Sequence, residues 1–357
     1  MIQATEPDMR LTNSRKNSAQ TCLRKHYYAY ELGIRRHVDA QPLRFGTAIH
    51  LGLDLWKTGS TPEEAIIRAI EEYDNSEPAD MGENATFAWK VEREKIRQLL
   101  NGYFWRWAEM PLEWVSSEQI FNIPLVNPET STKSRTFTLA GKVDGICNHN
   151  DQVTLVEHKT TSSDIAPESD YWRRCQMDSQ LSVYWMAGKE LGYDIENVIY
   201  DVIRKPATAP NKIPLLDKVG FKIVHDAEGK RVMKKDGFPR QSPDKAKGYI
   251  FQSRLETPEE YGERLRIDIG ERPEFYYARR EFVRLNADLE EAQYDFWQEA
   301  AIIRDCKRFD RWPRSTGACI GFGKCAYFDL CTSGFDHETD ILPEGFTVID
   351  NVHQELE

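Results

Sequence analysis

In the first third of the chain, apolar residues recur every three to four positions, which predicts amphipathic helices. The sequence Thr61-Pro62-Glu63-Glu64 is typical of a helix start, because threonine caps free backbone N–H groups and proline suits the first turn. We predict helices at residues 15–32, 45–57, 62–74 and 85–109.

The hydrophobic pattern changes its period after residue 112. Apolar residues alternate or run together at residues 117–126, 135–147 and 152–160, as they do in strands. The turn-forming sequence Asn148-His149-Asn150-Asp151 lies between the last two segments. These segments therefore predict a hairpin that forms part of a sheet.

The rest of the chain mixes both patterns. A helix at 171–191 and a strand at 197–204 predict a crossover that returns to the same sheet. Further elements are predicted at 257–269 (helix), 274–284 (strand) and 287–307 (helix). We expect an α/β fold with a central mixed β-sheet flanked by helices and covered by the N-terminal helices.

The composition fits a globular protein: the chain has 357 residues, 40% of them hydrophobic, which suffices for a large core. No segment reaches the ~18 consecutive apolar residues that read as a membrane span. The first twenty residues lack the apolar stretch of a secretory signal. We expect a cytoplasmic location and no membrane partner.

Charge is distributed unevenly. The net charge of -11 argues against a nucleic-acid partner, since affinity for phosphates comes from Lys and Arg. Residues 204–250, however, hold twelve Lys or Arg against five Asp or Glu. We expect residues 205–250 to form a basic insertion that binds DNA through a group of lysines, the alternative being a solvated loop. That group is Lys205, Lys212, Lys234 and Lys235.

Glu157 and Lys159, in the segment LVEHKTT, lie two residues apart and therefore on one face of the predicted strand. Asp144, in GKVDGI on the preceding strand, would be brought near them by the hairpin. Two neighbouring carboxylates repel each other unless a divalent cation lies between them. Mg²⁺ or Mn²⁺ there would polarise a phosphoryl oxygen, while a lysine stabilises developing charge. The group predicts phosphodiester hydrolysis, although Glu157 and Lys159 alone could be a surface ion pair.

Two further segments carry polar side chains at suggestive positions. RFGTAIHLGLDLW presents His50 on a helix after a glycine turn, and DSQLSVYWMAG places Gln180 and Tyr184 one helical turn apart. Taken singly, His50 fits a packed core histidine, and the other two fit a pair on a helix surface.

Together, GTAIH, GKVDGI, LVEHK and QLSVY, in this order, resemble the PD-(D/E)XK nuclease superfamily, specifically its RecB-like branch, over about residues 14–331. The resemblance implies a restriction-endonuclease-like core in which Lys159, Glu157 and Asp144 are catalytic. Val143 stands where the family often has a proline. The implied ligands of Mg²⁺ or Mn²⁺ are His50, Asp144, Glu157 and the main-chain carbonyl of His158. Gln180 and Tyr184 would lie near the substrate backbone.

Three cysteines crowd near the C-terminus, Cys319, Cys325 and Cys331, with five residues between neighbours. Seven cysteines in a chain that we expect to be intracellular argue against a disulfide framework. Close thiols predict metal binding, but the spacing is wider than in zinc knuckles and a fourth ligand is missing locally. Cys306 is one candidate for it.

The RecB-like resemblance selects Cys22 instead. AddB-like and CRISPR-adaptation nucleases hold a [4Fe-4S] cluster with one N-terminal and three C-terminal cysteines, which implies ligation here by Cys22, Cys319, Cys325 and Cys331. Zn²⁺ is the alternative. We interpret Cys147 and Cys175 as small buried hydrophobic residues.

Arg173 and Arg174, beside Tyr171 and Trp172, precede Gln180 by about two helical turns. Guanidinium and aromatic groups together can hold phosphates and stack on bases of a single strand, so we predict that both arginines bind substrate. The alternative is a solvated first helical turn with one buried aromatic residue.

These features predict one nuclease domain over residues 1–331, followed by an acidic tail over 332–357. Its function would be that of a metal-dependent DNA exonuclease in recombination, repair or phage DNA processing, in a bacterial or phage-infected cell. A non-catalytic DNA-binding or assembly subunit is the alternative. No phosphate-binding loop of an ATP-driven motor appears, so a helicase or recombination partner stays open. The predicted parts of the domain are 1–112 (helical), 113–204 (catalytic core), 205–250 (basic insertion) and 251–331 (with the three cysteines).

Overall fold

A computed structural model describes residues 8–37, 41–78, 81–321 and 323–356. Its N-terminal part is mostly helical, and Thr61 caps its helix through a capping box as predicted. The predicted helix over 15–32 is wrong as a single element, because the extended backbone of Cys22 interrupts it. This part contains β1 (Arg10–Leu11), α1 (Asn13–Thr21), α2 (Leu23–His26), a π-helical turn (Tyr27–Glu31), β2 (Ile34–Arg36), α3 (Gln41–Lys57), α4 (Pro62–Asn75) and α5 (Glu83–Trp107).

Long strands follow, joined by two helices where one was predicted over 171–191. That prediction is wrong because Asp178 accepts a hydrogen bond from the backbone N–H of Gln180 and so caps a new helix. The elements are β3 (Glu113–Val126), β4 (Lys133–His149), β5 (Gln152–Thr161), α6 (Asp170–Gln176), α7 (Ser179–Glu190) and β6 (Asn197–Arg204).

The remaining elements include the short strands of the basic insertion. The predicted strand over 274–284 begins late, because Pro273 starts a helical turn there. The elements are β7 (Lys212–Pro214), β8 (Val224–His225), β9 (Ile250–Phe251), β10 (Ser253–Leu255), α8 (Pro258–Glu271), α9 (Pro273–Tyr276), β11 (Tyr277–Phe282), α10 (Asn286–Phe309), α11 (Phe328–Ser333) and β12 (Phe346–Val348).

The main sheet has the order β1-β4-β5-β6-β11, and β3 pairs with β4. β4 and β5 run antiparallel, β5 and β6 run parallel through the α6–α7 crossover, and β11 returns antiparallel to β6. The sheet is therefore mixed, as predicted.

Helices cover both faces of this sheet. Along β6, Val198, Tyr200 and Val202 join a buried cluster with residues of α7 and α10, whereas Ile203 joins a cluster with residues of α3, α4, α5 and α8. Because side chains alternate between the faces of a strand, the sheet lies between two helical layers. The predicted α/β class with flanking helices is confirmed.

The basic insertion is built from successive tight turns. β7 pairs with β10, and β8 pairs with β9. Glycines with positive φ occupy the turns at unequal intervals along the sequence, and few apolar residues are buried, so no periodicity is visible from the sequence. These glycines are Gly220, Gly229, Gly237 and Gly248.

The segment 332–356 is folded onto the N-terminal part, so the predicted acidic tail is wrong. β12 pairs antiparallel with β2, and His353 is fully buried. Apolar residues spaced among the acids cause this packing, because they join one buried cluster with residues of the N-terminal part. They are Phe335, Phe346 and Val352.

Within the part of the chain that the structure describes, no helix combines the length and the apolar character needed to span a bilayer.

Candidate active site

Two carboxylates lie where β4 and β5 separate. β4 pairs with β5 only from Gly145 onwards, opposite Val156, and its earlier residues Thr138 and Leu139 pair with β1. Asp144 and Glu157 are the next residues beyond the last β4–β5 pair. Paired strands lie about 4.8 Å apart, so the two residues occupy neighbouring positions at the point where the β4–β5 pairing ends.

Asp144 connects three elements. Its Oδ2 atom accepts a hydrogen bond of 2.8 Å from the backbone N–H of His158 on β5. Its Oδ1 atom lies 3.5 Å from Nδ1 of His50 on α3, and its main-chain carbonyl accepts a hydrogen bond from Nζ of Lys57. The carboxylate is thereby fixed between β5 and α3.

Glu157, Lys159 and Gln180 form a closed ring of hydrogen bonds. Oε1 of Glu157 accepts from Nζ of Lys159 at 2.5 Å and from Nε2 of Gln180 at 3.0 Å. Oε1 of Gln180 accepts from Nζ of Lys159 at 2.9 Å. We call Asp144, Glu157, Lys159 and Gln180 the strand edge.

Tyr184 supports the strand edge from the next turn of α7. Its hydroxyl accepts a hydrogen bond of 2.7 Å from Nε2 of Gln180, and its ring packs edge-on against Phe121. Gly141 leaves the space for this contact, because a Cβ atom there would lie 2.6 Å from Phe121 and 3.2 Å from Tyr184. This packing explains why the first residue of GKVDGI is a glycine.

The charges of the strand edge are coupled. Burial raises the pKa of Glu157 to about 7; the Lys159 ammonium opposes this shift and the Asp144 carboxylate adds to it. Burial also acts to raise the pKa of Asp144, but His50, His158 and Lys159 together hold it below its usual value. Desolvation acts to lower the pKa of Lys159, which nevertheless lies above its usual value because of Glu157 and Asp144. At neutral pH, Asp144 is therefore ionised and Lys159 is an ammonium.

The charge of Asp144 also shifts the pKa of His50, its neighbour on α3. Desolvation acts to lower the pKa of His50, but the Asp144 carboxylate outweighs it and leaves the pKa raised. A histidine that binds a metal must be neutral, so metal binding at His50 would release a proton.

The side chain of His158 lies on the other face of β5. It is opposite Asp201 of β6, with its Nδ1 atom 3.6 Å from Oδ2 of that carboxylate. The same Oδ2 atom accepts hydrogen bonds from Tyr103 and Arg279. Burial lowers the pKa of His158 to about 3, so its ring is neutral. Only the main chain of His158 faces the strand edge, through its N–H on Asp144.

Sequence reasoning missed several of these residues. Lys57 follows His50 by seven residues, two helical turns, so the spacing on α3 carried a signal. Asp201 is the one acid within the apolar strand NVIYDVIR, which also marked it. Tyr103 and Arg279 carried no such signal.

The strand edge has the donor chemistry of a hard divalent cation. Asp144 and Glu157 are carboxylates, and Oε2 of Glu157 is buried without a hydrogen-bond partner among the described residues. Nowhere in the described ranges, however, do three or more His, Cys, Asp or Glu side chains lie close enough together to hold a metal ion. The two carboxylates could thus hold a cation, with His50 beside Asp144 as a further donor.

The four cysteines assigned to the cluster lie in one neighbourhood, which we call the cysteine region. Sγ of Cys22 accepts a hydrogen bond of 3.3 Å from the backbone N–H of Ser315, and the N–H of Cys325 donates to the carbonyl of Cys319 at 2.8 Å. Burial raises the pKa of the Cys331 thiol, and the nearby Cys22 and Cys325 add to the shift. All four cysteines are free thiols.

The other three cysteines, Cys147, Cys175 and Cys306, are buried in the fold. Cys306, the rival fourth ligand, lies on α10.

The two arginines of α6 differ in position. Arg174 lines a cavity of about 440 Å³ together with Lys159. Arg173 does not line this cavity, and its guanidinium lies 3.4 Å from Asp170. In the basic insertion, Lys212, Lys234 and Lys235 are exposed, whereas Lys205 lies over the ring of Phe45.

Comparison with known proteins gives one informative match. The family model of the PD-(D/E)XK nuclease superfamily matches residues 10–332. No curated protein matches the chain significantly. Among solved structures, the crystal structure of SSO0001 is similar with 15% identity and a TM-score of 0.20, over 41% of this chain and 73% of that chain. That last likeness is too small to carry an argument.

Proposed function

The chain belongs to the PD-(D/E)XK nuclease superfamily, and we propose that it is a metal-dependent DNA nuclease of the RecB-like branch that hydrolyses phosphodiester bonds from DNA ends. The biological setting that we propose is recombination, repair or phage DNA processing in the cytoplasm, with or without a helicase partner.

One observation carries the proposal. Asp144, Glu157, Lys159 and Gln180, which come from two strands and one helix, meet where β4 and β5 separate, with an ammonium and two carboxylates side by side. A buried group of charges is costly for stability, which favours a catalytic role over a purely structural one.

The residues of the strand edge suit the hydrolysis of a phosphodiester. We propose that Asp144 and Glu157 hold Mg²⁺ or Mn²⁺, with His50 and the His158 carbonyl as further ligands; when bound, such an ion polarises a phosphoryl oxygen and acidifies a water. Lys159 stabilises the negative charge that develops on the phosphate. Gln180 and Tyr184 fix the ammonium through the hydrogen bonds described above.

We also propose that the cysteine region holds a [4Fe-4S] cluster. Four free thiols in one neighbourhood support it. Anaerobic purification with iron and zinc quantification and an absorption spectrum tests this, because a Zn²⁺ protein is colourless.

The nuclease activity is tested with end-labelled linear DNA, single- and double-stranded, beside circular DNA of the same sequence. We expect Mn²⁺-dependent degradation of linear DNA, resistance of closed circles, and no reaction in EDTA. Lys159→Ala is the control. Cleavage by the wild type no greater than that by this variant would favour the alternative, a DNA-binding subunit without activity.

A further inference from the structure

Two cavities lie along α1. The first, of about 440 Å³, is lined by Asn17 and Gln20 of α1 and, at its other side, by Lys159 and Arg174. The second, of about 280 Å³, is lined by Asn17, Thr21 and Lys25, with Tyr327 opposite. Because Asn17 lines both, the cavities adjoin. We call the combined surface the α1 groove; one end contains Lys159 and the other approaches the cysteine region.

The exposed side of α1 is polar and free of acids. Ser14, Asn17, Gln20 and Thr21 are exposed and recur with the helical period, so they share one face. The sequence of the helix, NSRKNSAQT, contains no Asp or Glu. Amide and hydroxyl groups of this kind donate hydrogen bonds to phosphate oxygens without repelling them.

Among the described residues, the first cavity has one cation without an ion-pair partner, Arg174, and the second has two, Lys25 and Arg35. The guanidinium of Arg35 donates to the main-chain carbonyls of neighbouring segments, which leaves Lys25 as the cation without such contacts. Lys16, by contrast, is buried and lies 3.5 Å from Asp295. Arg174 and Lys25, in two cavities that also contain the polar face of α1, fit a ligand that carries repeated negative charge.

The acids that line the first cavity are already engaged. Asp295 faces Lys16, and Asp178 accepts hydrogen bonds from the N–H of Gln180 and the hydroxyl of Tyr200. They therefore oppose an anionic ligand less than free carboxylates would.

The size of the groove selects among nucleic acids. Cavities of several hundred Å³ suit a small ligand such as one nucleotide, whereas a duplex is far wider than such a cavity. We propose that the α1 groove binds one strand of single-stranded DNA, with phosphates at Arg174 and Lys25, and delivers it to Lys159. The delivery step rests on the proposed nuclease function.

The test measures DNA binding in EDTA, where no metal supports cleavage. Fluorescence anisotropy with a labelled oligothymidylate and with a blunt duplex is recorded for the wild type and for the double variant Lys25→Glu/Arg174→Glu. The matched control is Lys90→Glu/Lys189→Glu, which makes the same change in charge at two exposed lysines that line neither cavity. Circular dichroism melting checks that all three proteins are folded.

We expect the groove variant to bind the oligothymidylate at least tenfold more weakly than the control variant. Loss of two phosphate contacts should also reduce the slope of log K against log[salt] by about 1.4. Photocrosslinking of an iodouracil oligonucleotide to the wild type should label the peptide that contains Asn17 and Gln20.

Three results would overturn the proposal: no binding of the oligothymidylate by the wild type, equal binding by the two variants, or a loss confined to the duplex. Cleavage assays with Mn²⁺ separate this proposal from the proposed function. A wild type that binds through the groove but cleaves nothing contradicts the nuclease alone. A groove variant that binds and cleaves like the control contradicts the groove alone.

Discussion

The strand edge and the cysteine region are assembled differently. At the strand edge, the functional side chains bond directly to one another, with Glu157, Lys159 and Gln180 in a closed ring. In the cysteine region, the contacts run through backbone atoms: the N–H of Ser315 donates to Sγ of Cys22, and the N–H of Cys325 donates to the carbonyl of Cys319. The side chains of the first site contact one another directly, whereas joining the thiols of the second is the role that we propose for a bound cluster.

This difference predicts that substitutions at the strand edge lower the cleavage rate more than the stability of the fold. Substitutions in the cysteine region should lower the stability more than the cleavage rate. Four variants test it.

Of these four variants, Lys159→Ala should have the largest effect. It removes the ammonium that we propose to stabilise the phosphate, and loss of one such donor typically costs about 10²- to 10³-fold in rate. Single-turnover cleavage of end-labelled DNA in Mn²⁺ measures it. The melting temperature should change little; a collapse of the fold together with the rate would show that Lys159 is structural.

Cys331→Ala should release the iron of the proposed cluster and lower the melting temperature by several degrees, because a group bound only by the native state stabilises it. Cys306→Ala, at a buried site on α10, should keep its iron and lose only packing energy. Iron analysis and melting curves decide. Iron retained in Cys331→Ala would remove Cys331 from the ligand set. Iron lost from both variants would add Cys306 to it.

Glu157→Gln should change how stability depends on pH in metal-free protein. The pKa of Glu157 rises from 4.5 to about 7 on folding, so its contribution is fully present below pH 4.5 and is lost as the pH rises through 7. Each unit of pKa difference corresponds to about 1.4 kcal/mol. Urea unfolding in EDTA at pH 5 and pH 8 should show that the wild type loses more stability than the variant. If the two proteins lost the same stability between pH 5 and pH 8, the result would contradict the burial of an ionisable Glu157.

Tyr184→Phe should have the smallest effect. It removes the acceptor for Nε2 of Gln180, and one hydrogen bond of this kind contributes about 1 kcal/mol, which corresponds to roughly fivefold in rate. Steady-state cleavage measures the loss, with Tyr294→Phe at an exposed position as the control. A loss as large as that of Lys159→Ala would mean that Tyr184 contacts the substrate directly.

Parts of the strand edge could be predicted from the sequence, namely those whose geometry follows from the local periodicity of a strand or a helix. Glu157 and Lys159 share a face because strands alternate, and Gln180 meets Tyr184 because helical neighbours lie four residues apart. The predicted glycine turn before His50 is wrong, because Gly46 lies inside α3.

Other features depend on contacts that periodicity does not encode. The helix break at Asp178 was hidden because helical residues flank it on both sides. The network of His158, Asp201 and Tyr103 joins residues far apart in the chain. In residues 332–356, many acids obscured the apolar residues that fold the segment onto the N-terminal part.

The most direct test of the central claim is the initial rate at which Asp144→Asn and the wild type release label from a 5′-labelled single-stranded oligonucleotide in Mn²⁺. The asparagine keeps an oxygen for the N–H of His158 but removes the charge, so the account predicts a folded protein that binds DNA and does not cleave it. Equal rates for the two proteins would contradict a nuclease centre at the strand edge.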